Sequence, residues 1–459
     1  MTEHAGRQYD IVLFGATGFT GRLAARYLAT AARAAEARWA VAGRSERRLS
    51  DLLRSLGEPA GVGAIVADAA DGASLRAMAR QCRVLATAAG PYASIGLELV
   101  AACVESSTHY VDITGEPNFV RESIDRHHAA AAASGVKVVH CCGLDCIPVD
   151  LAVMLAIEGL SGPPRTVRAL CTRMNTWASG GSFDSAAEVL RWMRDPSNAA
   201  RATDPYLLAP VAAASLRVDS KWTGKVGLGF DRAFGAVSVP YVMAFVDNRV
   251  VRRSLVLRGQ AASYDEAMSA GAIARFCAFA ACHAPSLLRR LRPRAGEGPS
   301  ASVRRDGSFE FHVLARSADG QEHRVVVSGL GDPGYRATAA MLAESALCLA
   351  LRGGRGDEEA ASCSGGVLTP SVAMGSALVR RLEGTGLFTF RAPDGARRRC
   401  PCPIAPPAVA SLRAERHACR TGARCEEAVA RCAAARGVSR CARCVWDVAC
   451  RSASVTAQC

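Results

Sequence analysis

Over the first third of the chain, short apolar runs alternate with longer stretches of helical periodicity. Tyr9–Phe14 (YDIVLF) is a short apolar run, long enough for a buried parallel strand. A Gly-rich turn follows, then a helical stretch over 22–35. The same alternation predicts strands at 39–42, 64–68, 84–89, 110–112 and 136–140. It predicts helices at 46–53, 73–81, 94–105 and 119–134. Each parallel return needs a crossover, so this order predicts a Rossmann-type parallel sheet.

Beyond Pro148 the rhythm changes. Residues 149–160 read as a buried helix, and strand-like pieces follow at 167–173, 238–246, 254–257, 309–314 and 323–329. That pattern predicts an antiparallel, mixed α+β unit. Residues 337–351 predict a long apolar helix, and the Gly- and acid-rich 352–366 a loop. The expected architecture is α/β. A Rossmann-type domain spans 1–148, a mixed α+β substrate or dimerisation domain 149–390, and an irregular Cys/Arg-rich tail with the composition of a disordered segment 391–459.

Composition narrows the picture. No window of 18–20 uninterrupted apolar residues occurs, so no spanning helix is predicted. The polar start, Met1–Tyr9, has no signal-peptide pattern and predicts a cytoplasmic protein. The formal charge of +14 is concentrated at the end of the chain. Between Arg391 and Cys459, 13 Arg face 5 acidic residues, which leaves +6 on the remainder. With only three lysines and no nucleic-acid module, nucleic acid is not expected as a partner. Nine of the 19 cysteines lie between Cys400 and Cys459, where Cys441 and Cys444 form one C-x-x-C near His417 and Cys419. The other ten lack paired metal spacings, and no metal is predicted.

The turn after the first strand reads Gly15-Ala16-Thr17-Gly18-Phe19-Thr20-Gly21. Its glycines supply a tight turn, close backbone approach and close helix packing, and the helix that follows points N–H groups at an anion. A strand–glycine turn–helix near the N-terminus predicts a dinucleotide pyrophosphate site. The second strand ends in Gly43-Arg44-Ser45, with no acid to bond ribose hydroxyls. Arg44 can pair with a 2′-phosphate and Ser45 can donate to it, with Arg47 and Arg48 nearby, so NADP(H) is the predicted cofactor. The alternative for these residues is a solvated basic helix start. Asp68, at the third strand tip, is read as an adenine contact or as a helix cap.

These residues resemble the saccharopine dehydrogenase-like oxidoreductases, and within them the trans-acting enoyl reductase branch. The resemblance rests on GATGFTG (15–21), AGRS (42–45), GPY (90–92), YVDITGE (110–116) and GLDCIPVD (143–150). SGGS (179–182), DPYLL (204–208), VVRRS (250–254), GEGPS (296–300), GDPGY (331–335) and GGVLTP (365–370) extend it over residues 8–390. The resemblance implies NADP(H) held between two domains. It also implies reduction of a double bond in a lipid or polyketide chain, carrier- or synthase-bound, for complex glycolipid biosynthesis. A non-catalytic NADP-binding scaffold at a membrane and a carbon–nitrogen reductase are the alternative readings.

Hydride transfer needs a group that polarises or protonates the substrate. None of the eight tyrosines has Lys four residues later, which excludes a Tyr-x-x-x-Lys mechanism. Candidates lie at the C-terminal ends of the fourth to sixth strands. Gly90 and Pro91 border the expected nicotinamide site. Tyr92 is read as a proton donor or nicotinamide wall, against core packing. Tyr110, Asp112 and Glu116 surround the next turn, and Gly143, Asp145 and Pro148 follow the sixth strand. Asp145 is read as catalytic or as a cap of the next helix. His109 and His140 are read as structural, and Cys141, Cys142 and Cys146 as buried thiols. Residues 267–294 combine apolar residues with a basic end, which fits either a peripheral plasma-membrane contact or a core helix. A homodimer is a further expectation.

Overall fold

The computed structural model describes residues 6–177, 179–218, 228–282, 296–351 and 365–392. The early apolar runs form β1 (Tyr9–Phe14), β2 (Trp39–Gly43), β3 (Gly63–Val66), β4 (Cys82–Thr87), β5 (His109–Asp112) and β6 (Lys137–Val139). Between them run α1 (Phe19–Ala34), α2 (Glu46–Ser55), α3 (Gly72–Ala79), α4 (Tyr92–Glu105) and α5 (Pro117–Ala133). All six strands pair in parallel, in the order β6-β5-β4-β1-β2-β3. A seventh parallel strand, β13 (Gly366–Leu368), joins the β6 edge from far along the chain. The strand order reverses between β1 and β4, which opens a ligand crevice over their C-terminal ends.

The remaining chain builds a second seven-stranded sheet. Its elements are α6 (Ile147–Glu158), β7 (Pro164–Asn175), α7 (Gly180–Arg194), α8 (Ala199–Thr203), β8 (Gly229–Asp231) and β9 (Ala236–Pro240). Next come α9 (Ala244–Leu257), β10 (Ser263–Ser269), α10 (Ala270–Cys282), α11 (Ala301–Asp306), β11 (Ser308–Ser317) and β12 (Glu322–Leu330). The chain then forms α12 (Thr338–Ala350), α13 (Pro370–Gly384) and β14 (Phe388–Arg391) around β13. The order is β14-β12-β11-β7-β10-β9-β8, with β7 and β10 parallel and the other pairs antiparallel.

One apolar core joins the two sheets. α12 has no polar face and every residue in it is buried, as expected of a helix packed on all sides. It lies on α1 and against β4 and β5. Its one carboxylate, Glu344, is satisfied by the Tyr27 hydroxyl at 2.7 Å and Arg381 at 2.8 Å. Each fully buried leucine here, such as Leu342 or Leu347, contributes about 1.5–3 kcal/mol. α6 packs under β11 and β12 and continues that core into the second sheet.

Three expectations need correction. The piece at 254–257 is the last turn of α9, and the 238–246 piece stops as a strand at Pro240. The β-branched run VVRRSLVL favours a strand locally. Burial of Val246, Val250 and Val251 with Leu255 instead fits one helical stripe, and tertiary packing overrides the propensity. The segment from 267 is likewise not one helix, because 267–269 ends β10 before α10 begins. α10 is docked on the second sheet. Phe276 stacks on Trp177, with centroids 6.3 Å apart, and Arg275 donates to the Thr172 carbonyl at 2.7 Å. Residues 283–295, most of the 352–366 loop, and 393–459 with Cys441 and Cys444 lie outside the described residues. Among the described residues, no helix is long and apolar enough to cross a membrane.

Candidate functional site

The loop between β1 and α1 forms one lip of the crevice. Gly15 has φ +73°, and a Cβ there would lie 2.8 Å from the Ala89 backbone nitrogen, across the crevice. A Cβ on Gly21 would lie 2.1 Å from the Gly15 carbonyl oxygen. The two glycines therefore let the loop, the first turn of α1 and the strand beyond come together without side chains between them. Ala16 is buried, and Gly18 opens α1 with no side-chain cap. A helix start of this kind offers N–H groups and positive potential to an anion. The cradle has the shape a dinucleotide pyrophosphate requires.

Distant parts of the chain fix this loop in place. Arg22 donates to the carbonyls of Thr17 at 2.7 Å and Gly296 at 2.9 Å. The Phe19 ring meets Tyr335 edge-on at 5.2 Å, and the Arg304 guanidinium lies 5.5 Å from the same ring. The Tyr335 hydroxyl bonds Ser182 Oγ at 2.7 Å and the Ser179 amide. Thus the segments at 296–300 and 331–335 meet the phosphate loop, and 179–182 is tied to it through Tyr335. Thr20 is half-buried beside them.

At the tip of β2, Arg44 is exposed and forms no ion pair or hydrogen bond with a described residue. Ser45 caps α2 by accepting from the Arg48 amide at 3.4 Å, which leaves its hydroxyl proton free to donate. Asp68 is exposed and accepts from the Ala70 amide at 3.1 Å. The cap of α3 is Asp71, which accepts from the Ala73 amide at 2.9 Å. The cap alternative raised for Asp68 therefore falls to its neighbour.

Gly90 is exposed, Pro91 half-buried and Tyr92 buried. The Tyr92 hydroxyl donates to the Thr87 carbonyl at 3.2 Å and the ring stacks on Phe119 at 5.9 Å. Burial and the nearby Asp112 carboxylate push its hydroxyl well above the usual phenol range. The turn itself is set by Glu116. Its carboxylate accepts from the amides of Tyr92 at 3.0 Å and Ala93 at 2.7 Å, and from Ser185 Oγ at 2.7 Å. A buried carboxylate here replaces a local cap of α4 and complements the helix dipole.

Behind this turn lies a closed network. Asp112 accepts from the Tyr110 hydroxyl at 2.9 Å and the Cys141 amide at 3.0 Å, and lies 2.7 Å from His140 Nδ1. The other nitrogen of His140 lies 2.9 Å from Ser123 Oγ. His109 Nδ1 accepts from the Lys137 amide at 3.0 Å. Cys141, Cys142 and Cys146 are buried free thiols, with Cys142 and Cys146 pushed well up by loss of water. Among the described residues, no group of three or more His, Cys, Asp or Glu could hold a metal ion.

Asp145 differs from these neighbours. It is half-buried at the mouth of the turn after β6, and forms no hydrogen bond with a described residue. A Cβ on Gly115, in the turn after β5, would lie 3.5 Å from its Oδ2. Loss of water pushes its carboxyl up to about 6. It does not cap α6, whose cap residue Cys146 makes no side-chain cap bond. This carboxyl is thus free in geometry and partly protonated near neutral pH, as a general acid requires.

Sequence reasoning placed Glu116 at the site but missed its part as the acceptor that sets the α4 turn, and it missed the roles of Tyr335 and of VVRRS. In α9, Arg249 donates to the Ala202 carbonyl at 2.6 Å and the Asp204 carbonyl at 3.1 Å, and Arg252 to the Tyr264 carbonyl at 2.7 Å. Arg253 donates to the carbonyls of Leu208 and Val367. These buried arginines clamp the 204–208 and 365–370 segments and β10. Gly143 and Pro148 are buried in the connection to α6, and a Cβ on Gly143 would lie 3.1 Å from the Thr338 methyl.

Comparison with known proteins bears on this arrangement. Residues 11–139 match the family model of the saccharopine dehydrogenase NADP binding domain. The chain is 35% identical over 415 residues to a trans-acting enoyl reductase of Mycobacterium bovis, covering 83% of this chain and 97% of that protein. It is 36% identical over 413 residues to a trans-acting enoyl reductase of Mycobacterium leprae, covering 83% and 97%. The solved structure of apo saccharopine dehydrogenase (L-Glu forming) from Saccharomyces cerevisiae aligns with a TM-score of 0.47 at 13% identity, over 84% of this chain and 99% of that one.

Proposed function

The chain belongs to the trans-acting enoyl reductase family of saccharopine dehydrogenase-like, NADP-dependent oxidoreductases, and on that premise we propose that it reduces an α,β-unsaturated acyl thioester. The acyl chain is presented by a separate synthase or carrier protein and is destined for complex-lipid assembly. The observation that supports this reading is the meeting, at the C-terminal edge of one parallel sheet, of the glycine cradle with Arg44 and Asp145, neither of which bonds a described residue.

Each residue has a part. Gly15, Gly18 and Gly21, with the amides of Thr17, Phe19 and Thr20, would receive the pyrophosphate, while the amides of Ala16 and Gly18 hold the loop by donating to the Ala42 and Gly15 carbonyls. Arg44 and Ser45 take the 2′-phosphate, and Asp68 borders the adenine. Gly90 and Pro91 line the nicotinamide end, with Tyr92 behind them as packing that shapes the wall. A bound nicotinamide would supply the hydride that the acyl β-carbon takes up. The Asp145 carboxyl holds the proton that the α-carbon requires, and half-burial preserves that proton against water.

The test is NADPH-dependent turnover of a trans-2-enoyl thioester by the Asp145→Asn variant. Removal of a general acid should lower kcat by about 10²–10⁴-fold with NADPH affinity retained. Since the protonated form is the active one, kcat/KM of the parent enzyme should fall as pH rises through about 6. Full turnover by the variant rejects the assignment.

A further inference from the structure

The first turn of α7 ties together the two loops that border the cofactor crevice. Ser182 and Ser185 are three residues apart, so their side chains emerge on the same side of α7, one turn from each other. Ser182 Oγ lies 2.7 Å from the Tyr335 hydroxyl, and the Tyr335 ring meets Phe19 of the phosphate loop. Ser185 Oγ donates at 2.7 Å to Glu116 Oε1, the oxygen that also accepts from the Tyr92 amide of the 90–92 turn. The two loops are already neighbours, since a Cβ on Gly15 would lie 2.8 Å from the Ala89 nitrogen. One helical turn thus holds both lips of the crevice.

The rest of α7 is lightly held. Ala186, Ala187 and Leu190 are exposed, and the helix rests on α5 and α8 with Trp192 half-buried against the core of the first sheet. That indole anchors the far end of the helix, and polar contacts anchor the near end. At the approach to α7, buried Asp332 accepts from Thr176 Oγ1 at 2.6 Å and from the Tyr335 amide at 2.9 Å. One carboxylate therefore fixes the entry to α7 against the turn that carries Tyr335. The Ser179 amide donates to the Tyr335 hydroxyl, and the Gly180 amide to the Glu297 carbonyl at 3.3 Å. At the other lip, the buried Glu116 carboxylate has three donors, two amides of the turn it sets and the Ser185 hydroxyl. Bonds to a buried charge are stronger than neutral ones, so each donor matters to where that carboxylate sits.

We propose that α7 is a clasp on the cofactor crevice, and that Ser185 is a positioning residue for hydride transfer. Ser185 acts through Glu116, which sets the turn at the nicotinamide end. Ser182 acts through Tyr335 and Phe19 on the pyrophosphate end. Because both hydroxyls sit on one helical turn, release of one loosens the other. Hydride transfer needs the reacting carbons held at about 3–3.5 Å, so a looser turn costs rate before it costs cofactor affinity. The inference rests on the reading of this crevice as the NADP(H) site of a reductase.

The test uses the full chain and the variants Ser185→Ala and Ser185→Thr. Without cofactor, amide hydrogen exchange in Ser185→Ala should rise about threefold or more at 90–93 and also at 15–21, a loop that Ser185 does not touch. With NADPH and a trans-2-enoyl thioester, kcat should fall about tenfold and the isotope effect from deuterated NADPH should grow, while the NADPH dissociation constant stays within about twofold. Ser185→Thr keeps the hydroxyl and should return both exchange and kcat to within about twofold of the parent. Exchange at 15–21 left unchanged, kcat at the parent level in Ser185→Ala, or a loss that Ser185→Thr does not regain overturns the clasp alone. In the parent, NADPH should slow exchange at both loops. If it slows neither, the reading of the crevice falls and the clasp with it.

Discussion

Replacing Arg44 with Ala separates the 2′-phosphate from the rest of the cofactor. The guanidinium is exposed and bonds no described residue, so its removal should change fold stability by less than about 0.5 kcal/mol. A charge-assisted guanidinium–phosphate contact is worth about 1.5–3 kcal/mol. Exposure and screening by salt place this one at the lower end, about 1.5 kcal/mol. That converts to roughly tenfold in affinity. Arg47 and Arg48 remain one turn away and preserve part of the positive field. The assay is fluorescence titration of parent and variant with NADPH and with NADH, at low and high salt. NADPH should bind about tenfold more weakly to the variant, and NADH within about twofold of the parent. The difference should narrow as salt rises. Equal losses for the two cofactors, or an unchanged NADPH affinity, would refute the reasoning.

Three further substitutions probe the crevice. Gly21→Ala places a methyl 2.1 Å from the Gly15 carbonyl oxygen, so the loop must move. The thermal stabilisation given by NADPH and by NADH should then disappear together, and retention of either contradicts the cradle. Tyr92→Phe loses one bond to the Thr87 carbonyl, which should cost about 1 kcal/mol of stability in urea unfolding while turnover stays at the parent level. A large loss of turnover would return Tyr92 to the catalytic set. Glu116→Ala strips the acceptor from two amides and the Ser185 hydroxyl, which should cost about 2–3 kcal/mol and lower the urea midpoint. An unchanged midpoint would show that α4 does not depend on this carboxylate.

Local pattern made the first sheet legible. Tyr9–Phe14 and four of the five later runs are buried strands, β3 being a half-exposed edge, and most neighbouring strands are one crossover apart, so periodicity and glycine placement identify them. β13 escaped because Gly366–Leu368 is only three residues long and pairs with β6 across more than 200 positions. α9 was misread at its end because VVRRSLVL has strand propensity, while its helical form depends on contacts made by the arginines and valines on several sides. The site divides in the same way. Gly15, Gly21, Arg44 and Ser45 sit within the contiguous β1–α1–β2 stretch, at the two strand tips, and their placement reveals them. Glu116 caps a helix that precedes it in the chain, and Tyr335 meets Phe19 across more than 300 positions. Local sequence has no term for such pairings. Asp145 lay between cap and catalyst in sequence because both roles suit an acid before a helix, and its lack of a bond to any described residue favours the second.

The most direct test of the central claim follows the atoms. Parent enzyme would be supplied with a trans-2-enoyl thioester and NADPH deuterated at the transferring position, in ordinary water, and the product read by mass spectrometry and NMR. The account predicts a saturated thioester carrying one deuterium at the β-carbon and an ordinary solvent-derived proton at the α-carbon, with little label transferred from deuterated NADH. Recovery of unreduced thioester under conditions where NADPH binds, or deuterium at any other carbon, would contradict it.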